Sequence, residues 1–139
     1  MVSYHEARFN RLIKSKCTIR TKSGIKVQSH GEKLIADFLF DNDILFLYDD
    51  LRKWIMWIRP DFLIPEPCIA IEYWGLKDRD GSSDYDEEVI TKYNEDIEWR
   101  KGVYKCENVP LIEIFRSDLP LINKILRLEL KEVGYKFKK

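Results

Sequence analysis

No stretch of this 139-residue chain approaches the roughly 20 consecutive apolar residues of a membrane span, so nothing in it reads as a transmembrane segment. Net charge is also missing. The 24 Lys and Arg balance the 24 Asp and Glu, which argues against an indiscriminate polyanion binder. Histidine is scarce: His5 and His30 are too few and too far apart for a histidine-ligated metal. The three cysteines, Cys17, Cys68 and Cys106, form neither a disulfide framework nor a CxxC pair and read as free, mostly buried thiols. The opening MVSYHEARFNRL has no apolar h-region or small-residue cleavage site, so a cytoplasmic protein is expected. No repeat, low-complexity tract or Pro/Ser linker divides the sequence. Its length suits one core, and a single domain over residues 1–139 is expected.

What is present is unevenly distributed. Residues 1–28 form a basic arm, with Arg8, Arg11, Lys14, Lys16, Arg20, Lys22 and Lys26 against Glu6, and the tail adds Lys131, Lys136, Lys138 and Lys139. The compensating acids concentrate in residues 78–88. Such a run repels phosphates and is expected beside, not on, any surface that meets them. Trp54, Trp57, Trp74 and Trp99 could stack on bases but are read first as core or interface residues.

Periodicity gives an α/β (α+β) order of helix, strands, helix, strand, helix. Residues 17–27 suggest a short hairpin around Lys22-Ser23-Gly24, and Phe9, Leu12 and Ile13 show weak helical spacing before it. Ser29 with Glu32 three residues on is a capping box. It opens a helix with Leu34, Ile35, Phe38 and Leu39 on one stripe, ending near Asp41-Asn42. Residues 44–48, 54–58, 61–64 and 68–73 read as strands. Val89, Tyr93, Ile97, Lys101 and Tyr104 recur at helical spacing, 111–115 reads as another strand, and Asp118 with Pro120 starts a last helix carrying Leu121, Ile122, Ile125 and Leu128 up to Gly134.

Asp61 and Glu72 lie symmetrically about Pro65-Glu66-Pro67. A hairpin here pairs Phe62 with Ile71 and Ile64 with Ile69 on one face and sets the two acids opposite each other on the other face. Directly opposed Cβ atoms sit roughly 4.5–5.5 Å apart. At an effective dielectric near 20 the two charges then repel by about 3 kcal/mol. A divalent cation would remove that repulsion, so the pattern points to a metal site. Mg²⁺ takes one or two protein carboxylates and keeps several waters, as this pair allows.

Three segments together resemble the PD-(D/E)XK nuclease superfamily. They are Ser-His-Gly-Glu-Lys-Leu-Ile-Ala-Asp-Phe-Leu with Glu32, Arg59-Pro60-Asp61-Phe62, and Ile71-Glu72-Tyr73-Trp74-Gly75, followed by a long helix and Val109-Pro110-Leu111-Ile112-Glu113-Ile114. The similarity covers residues 27 to about 118. It implies a restriction-endonuclease-like core, a mixed sheet of four to five strands flanked by helices, and Mg²⁺-dependent hydrolysis of DNA phosphodiesters, with Mn²⁺ able to substitute. Asp61 and Glu72 would ligate the metal, Glu32 would assist, and the Tyr73 carbonyl would complete the coordination. No organic cofactor and no membrane are implied, and a homodimer is expected from the small size. The family's lysine is replaced by Trp74, which cannot stabilise a phosphorane. Lys101 on the next helix is the expected substitute, with Arg100 and Lys92 as rivals. The missing lysine leaves a second reading open, a nuclease-fold nucleic-acid-binding or assembly module without turnover.

Overall fold

The computed structural model describes residues 17–49 and 58–138. The basic arm before Cys17, with its weak helical spacing, and the strand expected at residues 54–58 lie outside them, Ile58 excepted. Among the described residues there are three α-helices, a mixed four-stranded sheet and a two-stranded hairpin.

The hairpin pairs β1 (Ile19–Arg20) with β2 (Lys26–Val27), turning at Gly24, whose φ of 96° suits a residue without a Cβ. It is tied to helix α1 (His30–Asp41) through Asp37, which accepts the Lys22 amide at 2.8 Å and the Lys33 ammonium at 2.6 Å. Burial alone would raise the Asp37 carboxyl, but these partners outweigh it and hold the group below its ordinary value. A lowered folded pKa contributes stability that is complete above the unfolded value, about 4. That contribution is lost as pH falls through the folded value. An Asp37→Asn chain is therefore expected to lose less stability than the parent on acidification below about pH 4, as urea titrations at stepped pH would measure.

Helix α1 starts where the capping residue dictates. Ser29 is extended (φ −139°, ψ 162°) and its Oγ accepts the Glu32 amide at 3.2 Å. Ser29→Ala should reduce stability by about 1 kcal/mol, read as a lower urea midpoint at unchanged slope. The expected stripe is buried at Ile35, Phe38 and Leu39, with Leu34 partly so.

The sheet runs in the order β3 (Leu47–Tyr48), β4 (Phe62–Ile64), β5 (Ile69–Trp74), β6 (Leu111–Phe115). Strand β3 is shorter than residues 44–48. The β4–β5 register is the expected one, with Phe62 opposite Ile71 and Ile64 opposite Ile69. Strand β6 joins parallel to β5 and sets Ile71 beside Ile112. One sheet face (Phe62, Ile64, Ile69, Ile71, Ile112, Ile114) packs on α1 and on helix α3 (Ile122–Glu132). The other face carries Ala70, Glu72 and Trp74 against helix α2 (Glu87–Cys106).

Two helical faces differ from expectation. In α2 the buried residues are Tyr93, Asp96, Ile97, Arg100 and Tyr104, while Val89 is exposed. At about 100° per residue, Arg100 falls about 20° from Tyr93 around the axis and Lys101 about 80° away. The stripe therefore runs through the arginine, and the lysine lies on its flank. In α3 the buried residues are Ile122, Leu126 and Leu130, and Leu121 and Leu128 are exposed. The residues between β6 and α3 form a 3-10 helix, Arg116–Leu121, in which the Asp118 carboxylate takes the Phe115 amide at 2.8 Å. Pro120, which has no N–H, falls inside this stretch, and the regular helix starts two residues later than it. The cysteines depart from expectation as well: all three are free, but Cys17 and Cys68 are only partly buried and Cys106 is exposed.

The acidic loop after β5 is fastened to this 3-10 segment. Arg116 pairs with Asp78 and Asp84, and Arg79 pairs with Asp118 at 2.7 Å. Arg79 also stacks over Phe115 and donates to the carbonyl of Glu113, at an outer strand of the sheet. No helix among the described residues is long and apolar enough to cross a membrane.

Candidate active site

Extending the hairpin register by one step brings Asp61 opposite Glu72, and the backbone joins them. Asp61 Oδ2 accepts the Tyr73 amide at 2.8 Å, and Glu72 Oε1 lies 3.4 Å from the Asp61 amide nitrogen. Both are buried, Asp61 at 2% and Glu72 at 0% exposure. The opposition foreseen from the two prolines is therefore present, together with the burial that makes it electrostatically demanding.

The countercharge comes from α2. Arg100 places Nε at 2.8 Å and Nη2 at 2.7 Å from Glu72 Oε2, and Nη2 also donates to the Arg59 carbonyl at 2.9 Å. One turn on, the Tyr104 hydroxyl donates to the same carboxylate oxygen at 2.7 Å. Burial, then the Glu72 charge, push the Tyr104 phenol well above its ordinary value, so it stays a donor. Spacing of i, i+4 on one helical face is what lets both side chains reach one oxygen.

Lys101 does not share this pocket. Its side chain is 41% exposed and lies 3.8 Å from Glu98 and 3.9 Å from Glu113, lining a groove of about 460 Å³ along β6. Lys92 faces Glu88 at 3.9 Å, well exposed. Arg100, not Lys101, is thus the α2 cation that the fold brings to the acids. Trp74 is fully buried and donates Nε1–H to Glu113 at 3.1 Å. Trp99 is partly exposed, and Trp54 and Trp57 lie outside the described residues.

Glu32 sits on the α1 side. Its Oε1 accepts the Gln28 amide at 3.1 Å and the Tyr48 hydroxyl at 2.9 Å, so it continues the cap begun by Ser29. Tyr48 is held protonated by burial and then by the Glu32 charge, with Asp61 contributing more weakly; Asp61 also acts on Tyr104. Its charge is therefore felt on both sides of the sheet. Tyr48 was not legible as a site residue because it carries no motif; Tyr104, on the face expected to carry Lys101, reads as core packing ahead of a contact to phosphate or bases. The face shared by Arg100 and Tyr104 was the one signal available. His30 is exposed at the start of α1.

In donor type, Asp61 and Glu72 suit a hard divalent cation, which takes oxygen ligands and needs only one or two carboxylates. Glu32 is not grouped with them, since no cluster of three or more His, Cys, Asp or Glu that could hold a metal occurs among the described residues. Glu72 already balances its charge against Arg100. A dication and a guanidinium against two carboxylates would leave one net positive charge, matching the single negative charge of a phosphodiester.

No protein-family model matches the chain, nor does any curated protein or solved structure. The fold class is α/β with a mixed sheet, and what the site does must be argued from its residues.

Proposed function

We propose that this protein is a restriction-endonuclease-like, metal-dependent nuclease that hydrolyses DNA phosphodiesters. The observation that carries the reading is the meeting of Asp61 and Glu72 across the β4–β5 hairpin, buried and backed by a guanidinium. Asp61 and Glu72 would hold Mg²⁺ or Mn²⁺, with the Tyr73 carbonyl as a further oxygen donor. When bound, the ion supplies an activated water and positive charge at the phosphate. Arg100 fixes Glu72 and balances its charge. Because its fork is committed to Glu72 and Arg59, it acts as a positioning residue. Glu32, engaged with Gln28 and Tyr48, would assist from α1 without ligating the ion. DNA is the proposed partner and a homodimer the proposed assembly, with the basic arms flanking two sites.

One observation favours a second reading, a DNA-binding module without turnover: Trp74, at the position where the resemblance calls for a lysine, is buried. The two readings separate in a plasmid-nicking assay with Mg²⁺ or Mn²⁺, run beside Asp61→Asn. Metal-dependent nicking that disappears in the variant supports the nuclease; salt-sensitive DNA binding with no nicking by either protein supports the module.

A further inference from the structure

The β1–β2 hairpin has two chemically different faces. Its register sets Ile19 beside Val27 on one face and Arg20 beside Lys26 on the other. Val27 is fully buried and Ile19 partly so, in a ribbon whose strands both touch α1, whereas Arg20 and Lys26 are exposed. The outward face is cationic.

Two like charges directly opposed across a ribbon destabilise it unless an anion lies over them. Among the described residues no carboxylate pairs with either one. Arg20 donates to the Gly24 carbonyl at 3.3 Å, and the acids of the adjoining helix are engaged elsewhere: Asp41 holds the Lys22 ammonium at 2.7 Å, and Asp37 holds the Lys22 amide and the Lys33 ammonium. The ribbon is also anchored at its root. Gln28, just after β2, donates its amide to Glu32 Oε1 and lies 3.3 Å from the Tyr48 hydroxyl, and Cys17, just before β1, neighbours the same hydroxyl. From that root the two cations stand two to three residues out, about 7–10 Å along the ribbon. Their place on the Glu32 side of the molecule is therefore fixed.

We infer that Arg20 and Lys26 together grip the phosphate backbone of DNA, away from the linkage that reacts. Phosphates supply the anion that the hairpin lacks, and they recur along each strand at about 3.4 Å of helix axis, close enough for neighbouring cations to meet the same strand. Such a contact holds the duplex in position and reads no sequence. This inference rests on the reading of DNA as the partner, but it needs neither the metal nor turnover.

Fluorescence anisotropy with a labelled duplex, titrated in sodium chloride without divalent ions, tests it. Each phosphate contact contributes about 0.9 to the slope of log affinity against log salt, so Arg20→Gln with Lys26→Gln should lower that slope by about 1.8. Lys92→Gln, which removes a cation beside Glu88, should leave it within about 0.3 of wild type. The melting temperature of the double variant should stay level or rise, because a repulsive pair has gone. The exchange Arg20→Lys with Lys26→Arg keeps both charges and should keep the wild-type slope. A double-glutamine slope within about 0.5 of wild type overturns the inference, as does a drop of about 0.9 in Lys92→Gln, which would make the effect one of bulk charge. A lower melting temperature in the double-glutamine protein, or a lost slope in the exchange, overturns it too, since the pair would then serve the fold. If wild-type affinity shows no salt dependence, DNA is not the partner and the nuclease reading falls as well; a normal wild-type slope with an unmoved variant removes the hairpin's role alone.

Discussion

An Arg100→Met chain is expected to lose about 3–5 kcal/mol of stability, because Glu72 would be left as a buried carboxylate without its ion-pair partner. At 0% exposure Glu72 is shielded from bulk solvent, and with the guanidinium gone the Tyr104 hydroxyl and the Asp61 amide still reach it. Removing one partner of a buried pair is far worse than removing both. The double variant Glu72→Leu with Arg100→Met should therefore recover most of the loss in a double-mutant cycle followed by urea unfolding. The Arg100→Met protein also tests the metal directly. An ion held by Asp61 and Glu72 would take over the missing countercharge, so Mg²⁺ should stabilise the variant more than the wild type; a hundredfold excess over the variant's own dissociation constant is worth about 2.7 kcal/mol to it. A loss below about 1 kcal/mol would mean that Glu72 finds another way to discharge its field.

Asp61→Asn should reduce metal-dependent nicking by about a thousandfold. A ligand charge on a catalytic dication supplies several kcal/mol to the transition state. At 1.36 kcal/mol for each factor of ten, about 4 kcal/mol gives that figure. Fold damage is not the explanation to expect, because the asparagine oxygen can still accept the Tyr73 amide that Asp61 Oδ2 now accepts at 2.8 Å. Single-turnover rates, together with DNA affinity and melting temperature near wild type, check the outcome. Retained nicking would remove the basis for a metal at the hairpin.

Much of the framework was legible in the sequence because local rules fix it. The Ser29 cap and the prolines at 65 and 67 act within a few residues, and α1 and the β4–β5 register came out as expected. Alternation along the hairpin was equally informative, since a strand with Ile69 and Ile71 on one face must carry Glu72 on the other. What could not be read was which part of α2 meets the sheet. Val89 and Lys101 fit a helical period as well as Arg100 does, and only the packing of Tyr93, Ile97 and Tyr104 against the strands selects the arginine. The same holds for α3, where Leu121 and Leu128 were plausible core residues until the sheet set the orientation. From the hairpin the countercharge at Glu72 was expected to be a divalent cation. Its source in this structure, a guanidinium 28 positions along the chain, depends on tertiary contact and leaves no local trace.

The bond from Arg79 to the Glu113 carbonyl has a consequence for how copies of this protein meet. Strand β6 would otherwise offer its outer backbone as a template on which another chain could zip up. With a bulky cation bolted across that rim and anchored to Asp118, lateral accretion of sheets is discouraged there.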